Sequence, residues 1–160
     1  MLRVYLDSSA LVKRYISEPG SSIVDLVFDK SLTGELTAAT SIWNIGEVLG
    51  VLDLRRKRRW LSEDEFKEAL ENFAGEIVKM LRLKVLEIFP ALTKLIADSW
   101  PLILSEHVYE ADALQVQTCI YSGSSILLSA DKKLVTKAIR MGIRAVDTAD
   151  ESKIKELLEK

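Results

Sequence analysis

Short apolar runs alternate with stretches of helical period along this chain, and that alternation restricts its fold more than any other feature. The run Leu2-Arg3-Val4-Tyr5-Leu6 is β-rich and stops at Asp7, after which Ser8 or Ser9 can cap a helix over Ala10-Leu11-Val12-Lys13-Arg14-Tyr15-Ile16. Pro19-Gly20 breaks the chain, Ser21 or Ser22 restarts it, and apolar residues keep helical spacing to about residue 30. A second strand is expected over 35–39. From Thr40 or Ser41 as cap, residues 42–59 read as a helix whose nearly all-round apolar start predicts burial there.

That helix ends in the run Arg55-Arg56-Lys57-Arg58-Arg59, and Ser62, with Glu65 three residues on, opens an amphipathic helix to about residue 82. The two long helices are expected to form a protruding hairpin. Residues 84–89 read as a third strand, Pro90 opens a helix to about 103, and 108–121 is a helix ended by Gly123. A fourth strand over 125–129, a helix over 132–141, a short fifth strand over 144–146 and a charged helix over 151–160 complete the series. Strands alternating with helices predict one α/β domain over 1–160, with a parallel sheet covered on both faces and right-handed crossovers.

Composition removes several classes of function. With 22 Lys+Arg against 24 Asp+Glu, the chain is not a basic coat for nucleic acid or membrane, so a polyanion must meet a local patch. One cysteine, Cys119, and one histidine, His107, cannot build a Cys/His metal cluster. Arg3 and Asp7 interrupt any apolar leader, and no apolar stretch reaches the roughly 18 residues a membrane helix needs, which gives the expectation of a soluble cytoplasmic protein. No phosphate-binding or dinucleotide glycine motif is present. An aspartyl-phosphate phosphatase would want an acid where Ser9 stands, and a receiver domain would want one where Phe89-Pro90 follows the third strand.

In an open α/β sheet the ligand crevice lies beyond the carboxyl ends of the strands. Asp7 follows the first strand there and Asp131 the fourth, although either can equally cap the next helix. Glu47 projects between Trp43, Val51 and Leu54, where a carboxylate is costly unless it is paired. Asp112 lies beside the stripe Tyr109, Ala113, Val116, Ile120, at the edge of an amphipathic helix. Four acids converging without His or Cys would form an all-oxygen site for Mg²⁺ or Mn²⁺, titrating as a coupled cluster and suited to phosphodiester hydrolysis.

The motifs Tyr5-Leu6-Asp7-Ser8-Ser9-Ala10-Leu11, Asn44-Ile45-Gly46-Glu47-Val48, Glu110-Ala111-Asp112-Ala113-Leu114 and Leu128-Ser129-Ala130-Asp131 stand in order along essentially the whole chain. In these the chain resembles PIN-domain ribonucleases, especially the VapC-type toxins of toxin–antitoxin pairs. The resemblance implies that Asp7, Glu47, Asp112 and Asp131 bind Mg²⁺ or Mn²⁺ and position the attacking water, with Ser8 and Ser129 supporting the acids. It also implies a five-stranded parallel sheet with the strands bearing Asp7 and Asp131 adjacent, a homodimer, an RNA substrate and a small antitoxin laid across the acidic site.

The stretch Gln115-Val116-Gln117-Thr118-Cys119 departs from the family by being more polar, with an effect expected on packing and not on metal binding. The run Arg55-Arg56-Lys57-Arg58-Arg59, followed by Trp60, is a candidate phosphate patch or else a solvated helix end. Lys13 either reaches a substrate phosphate or snorkels at the surface. His107, Cys119 and the three tryptophans are expected to be structural. The rival to a nuclease is a catalytically weak or silent PIN-like module that binds RNA or protein.

Overall fold

The computed structural model describes residues 1–158, so the last two residues of the expected terminal helix lie outside the described residues. Strand β1 (Leu2–Leu6) leads into helix α1 (Ser8–Leu11), which tightens into a 3₁₀ turn (Val12–Arg14), and α2 (Ser21–Leu32) precedes β2 (Leu36–Ser41). Helices α3 (Ile42–Lys57) and α4 (Glu63–Arg82) then lead to β3 (Leu86–Phe89). The chain continues through α5 (Thr93–Glu106), α6 (Glu110–Tyr121), β4 (Ile126–Ser129), α7 (Lys132–Arg140), β5 (Ala145–Asp147) and α8 (Glu151–Leu158).

The strands form one five-stranded sheet in the order β3-β2-β1-β4-β5, parallel throughout. Pairing of Val4 with Ile126 and of Leu6 with Leu128 sets β1 beside β4, so Asp7 and Asp131 emerge from neighbouring strands at the point where the strand order reverses. Side-chain alternation splits the core between the two sheet faces. Val4, Leu6, Leu36, Ala38 and Leu128 pack toward α1, α2, α3, α4 and α8, whereas Tyr5, Ala39, Leu127 and Ala145 pack with Val116 and Cys119 of α6 and Leu134 and Ala138 of α7. Among the described residues no helix is long and apolar enough to cross a membrane.

The turn into α4 carries its expected capping box: the Ser62 hydroxyl accepts the Glu65 N–H while the Glu65 carboxylate accepts the Ser62 N–H. The α3–α4 hairpin has an exposed tip over 57–60 and is packed against the domain nearer its base. Val48, Leu52, Phe73, Ile77 and Met80 join the larger core, and Arg14–Glu76 and Arg55–Glu18 ion pairs of 2.8 and 2.7 Å tie it to the first helical segment.

The start of α3 is not buried as its composition suggests, for Ile42, Trp43, Leu49 and Leu54 are all exposed. Only Asn44, Val48 and Leu52 are fully buried. The fully buried stripe has four-residue spacing and opens with a polar residue, with Ile45 and Val51 packing beside it, so apolar content misjudges which side is covered. Trp43, Trp60 and Trp100 are likewise exposed rather than core, whereas Cys119 is buried. Helix α5 starts at Thr93 and runs through Pro101 to Glu106, where His107 turns into the left-handed region.

A candidate acidic active site

Asp7 is 4 % exposed and both of its oxygens are held. Oδ1 accepts the Ala10 N–H at 2.9 Å and the Ser9 hydroxyl at 2.8 Å, while Oδ2 accepts the Ser129 hydroxyl at 2.6 Å. The same two hydroxyls receive backbone N–H groups from the turn after β4, Ser9 from Ala130 at 2.8 Å and Ser129 from Asp131 at 2.9 Å. Each serine therefore takes a proton from one strand end and gives its own to Asp7 at the other, which locks the β1–α1 turn to the β4–α7 turn. The supporting hydroxyl after Asp7 is that of Ser9 and not Ser8, because the first helical turn brings the residue two past the cap back toward the carboxylate.

Asp131 keeps its turn role too, capping α7 through Oδ1 with the N–H groups of Lys133 and Leu134 at 2.8 and 3.2 Å. Capping and a place at the strand ends are thus compatible for both aspartates. Glu47 on α3 and Asp112 on α6 are half-buried and bring their charges to the same region. Burial pushes the Asp7 carboxyl up to about 6, against the pull of Ser129, Ala10 and Ser9, and the Glu47 charge adds a smaller push. Asp112 is also raised, first by burial, then by Asp131, with Lys137 opposing and Glu47 adding. For Asp7 and Asp112 alike, desolvation outweighs the repulsion of the other acids.

Among the described residues no three His, Cys, Asp or Glu side chains are arranged to hold one metal ion between them. The donor chemistry still fits a hard cation: all four groups are carboxylates, and the buried one, Asp7, has hydroxyl and amide donors but no cationic side chain against it. Mg²⁺ ordinarily takes one or two carboxylates and keeps several waters, a mode that does not require three side chains in contact. Since Ser129 both donates to Asp7 and orients the Asp131 backbone, Ser129→Ala is expected to weaken Mn²⁺ binding by roughly 10- to 100-fold, read by titration calorimetry.

The basic residues separate from this site. Lys13 is buried, its ammonium donating to Glu18 and to the Pro19 carbonyl, so it neither reaches a substrate phosphate nor snorkels at the surface. Arg55 pairs with Glu18, Arg56 and Lys57 with Asp53, and Arg58 stacks over Trp60, while Arg59 turns the chain at φ 57°. Most of that run is neutralised by its own surroundings. Two features escaped the sequence: Lys137, whose ammonium donates to the His107 carbonyl near Asp112, and a buried amide network beneath the acids. In that network the Tyr5 hydroxyl donates to Gln115 Oε1 at 2.6 Å, and Gln115 Nε2 donates to Asn44 Oδ1 at 2.6 Å.

Several solved structures share this architecture. A protein from Pyrobaculum aerophilum, PAE2754, is 15% identical over 99% of this chain and 97% of its own, with a TM-score of 0.65. VapC20 of Mycobacterium tuberculosis, described as a Sarcin-Ricin loop cleaving toxin, is 14% identical over 83% of this chain and 93% of its own, at 0.57. VapBC2 of Rickettsia felis, solved bound to a DNA fragment from their promoter, is 13% identical over 91% of this chain and 98% of its own, at 0.58. No curated protein sequence matches. The sequence pattern of the PIN domain, however, is matched over residues 4–140, nearly all of the sheet and all four acids, and the chain belongs to the PIN domain family.

Proposed function

We propose that this chain is a divalent-metal-dependent endoribonuclease, the toxin of a toxin–antitoxin pair, with Asp7, Glu47, Asp112 and Asp131 as its catalytic acids. The observation that carries the reading is a desolvated carboxylate, Asp7, kept without a cationic partner at the sheet's switch point and within the field of further acids. A buried charge of that kind is retained at a cost to stability, which fits a group whose counter-ion arrives with function. Bound Mg²⁺ or Mn²⁺ would supply a nucleophile at neutral pH and stabilise the leaving oxygen.

The chain's own part is to orient the acids. Ser9, Ser129 and the Ala10 N–H fix the Asp7 carboxylate, the α7 cap fixes Asp131, and α3 and α6 bring up Glu47 and Asp112 from opposite faces of the sheet. RNA as substrate is supported by the likeness to VapC20, described as a Sarcin-Ricin loop cleaving toxin, and a cytoplasmic location and an antitoxin partner belong to the same reading. Exposed Ile42, Trp43, Trp100, Leu104 and Tyr109 support a protein contact, of the antitoxin or of a second copy in a homodimer.

The wide placement of the acids is what a silent RNA- or protein-binding PIN module would also have. Cleavage of mixed structured RNAs with Mg²⁺, with Mn²⁺ and with EDTA, beside Asp112→Asn prepared identically, separates the two. The nuclease requires metal-dependent cutting lost in the variant; absence of cutting under every condition supports the binding module.

A further inference from the structure

We propose that the exposed flank of α7, formed by Lys133, Lys137 and Arg140, is the surface along which the phosphates of the RNA run into the acidic site. The inference rests on the endoribonuclease reading and adds the place where its polyanion lies. An acidic site repels the substrate it must hold, and a chain of net charge -2 has no general basic field to offset that. A local stripe of uncommitted cations is therefore required, and α7 carries one.

Lys132, Lys133, Lys137 and Arg140 have no carboxylate within ion-pair distance among the described residues. In the other basic cluster, by contrast, Arg55, Arg56 and Lys57 are all matched to acids. Leu134, Val135 and Ala138 turn inward, which leaves Lys133, Lys137 and Arg140, at spacings of four and three residues, on one outward flank. The helix starts at Asp131 and has no acid in its first turn, where Lys132 and Lys133 stand against the preference of the helix dipole. Asp131 already takes the Lys133 and Leu134 N–H groups, so it is the lysine side chains and not the helix terminus that would meet a phosphate.

Lys137 ties the stripe to the site, since it donates to the His107 carbonyl in the loop before α6 and its charge acts on Asp112. Seven residues of helix rise about 10 Å, which sets the cations along a line that the phosphates of one strand can follow. An RNA strand lying on this flank would pass from Arg140 toward the acids, with its backbone contacted without regard to base.

The test is the salt dependence of binding. Full-length protein carrying Asp7→Asn, to prevent turnover, is titrated in Mg²⁺ onto a fluorescent single-stranded RNA at a series of NaCl concentrations. Lys133→Gln/Lys137→Gln/Arg140→Gln in that background should flatten the slope of log K against log salt by about 2, from roughly 0.7 per phosphate contact, and lower affinity at low salt at least tenfold. Arg56→Gln/Lys57→Gln should change neither.

An unaltered slope in the α7 variant, a slope that moves only with the hairpin variant, or no RNA binding by the parent overturns the proposal. So does binding of polyglutamate in place of RNA, which would assign the flank to a protein partner. Cleavage by the wild-type chain, measured in parallel, keeps the two readings apart: cutting with an unaltered slope removes only the α7 track. Slope-dependent binding without cutting removes only the hydrolase.

Discussion

Asp7→Asn is expected to abolish metal-dependent RNA cleavage and, in the same protein without metal, to raise stability at neutral pH. The folded chain holds the Asp7 carboxyl at about 6 against an ordinary value of 3.8, mainly because it is buried. Well below pH 4 the group is protonated in both folded and unfolded chains and contributes nothing. As pH rises from 4 to 6 the unfolded chain releases this proton while the folded chain retains it, so folding loses stability across that window. Above pH 6 the loss is complete, on the order of 3 kcal/mol for a shift of about two units.

Asparagine removes the charge at nearly constant volume, and its carboxamide oxygen can keep the helix cap from the Ala10 N–H. Thermal unfolding of parent and variant without divalent cations should therefore coincide near pH 4 and separate between pH 4 and 6, the variant melting higher thereafter. Mg²⁺ should stabilise the parent and leave the variant unmoved, since only the parent offers the carboxylate. Parental cleavage at subsaturating metal should rise with pH as the same carboxyl gives up its proton to admit the cation. Cleavage by Asp7→Asn at the parental rate would remove Asp7 from the site; superimposable melting curves at pH 7 would show that its burial carries no cost.

The alternation of strands and helices was readable because it depends on local chemistry. Leu2–Leu6 ends where Asp7 takes up the cap, and Ser62 and Glu65 signal the start of α4 by reciprocal bonds within one turn. Polar residues just past β1 and β4 could be placed at the crevice by topology alone, and the PIN-domain resemblance added that the strands bearing Asp7 and Asp131 are neighbours. What the sequence could not show depends on contacts between distant elements. Lys13 looks like a surface cation until Glu18 and Pro19 fold back over it. The run at 55–59 looks like a phosphate patch until Glu18 and Asp53 are seen against it. Serine is found against Asp7 at position 9 rather than 8 because the reach of a hydroxyl is settled by helical rotation.

The extra polarity after Asp112 has a structural reason, and it yields the largest stability effect expected of a residue outside the acids. Burial pushes the Tyr5 hydroxyl far up, so it stays a donor, and its proton goes to Gln115 Oε1. That leaves Gln115 Nε2 to donate to Asn44 Oδ1, while Asn44 Nδ2 donates at 3.1 Å to the carbonyl of Leu6, the residue before Asp7. Thr40 also donates to that carbonyl, at 2.8 Å. One buried network therefore joins β1, β2, α3 and α6, three residues from Glu47 on one helix and three from Asp112 on the other.

Gln115→Leu keeps the volume but strands the Tyr5 proton and Asn44 Oδ1, each costing about 1–3 kcal/mol, so a loss of roughly 2–6 kcal/mol is expected in urea unfolding at unchanged m. Against a typical stability of about 5–15 kcal/mol that is a large fraction. Tyr5→Phe alone should cost less, because it strands only the Gln115 Oε1 acceptor, while Asn44 Nδ2 keeps the Leu6 carbonyl and the Thr40 hydroxyl. Combined with Gln115→Leu it should restore part of the loss, since the orphaned proton is removed with it, giving a coupling of about 1 kcal/mol or more in the double-mutant cycle. Strictly additive costs would mean that the two groups are satisfied separately and that the network does not bind α6 to β1. A shared term would mean that the polar stretch after Asp112 is what holds the third acid's helix at its angle to the first acid's strand.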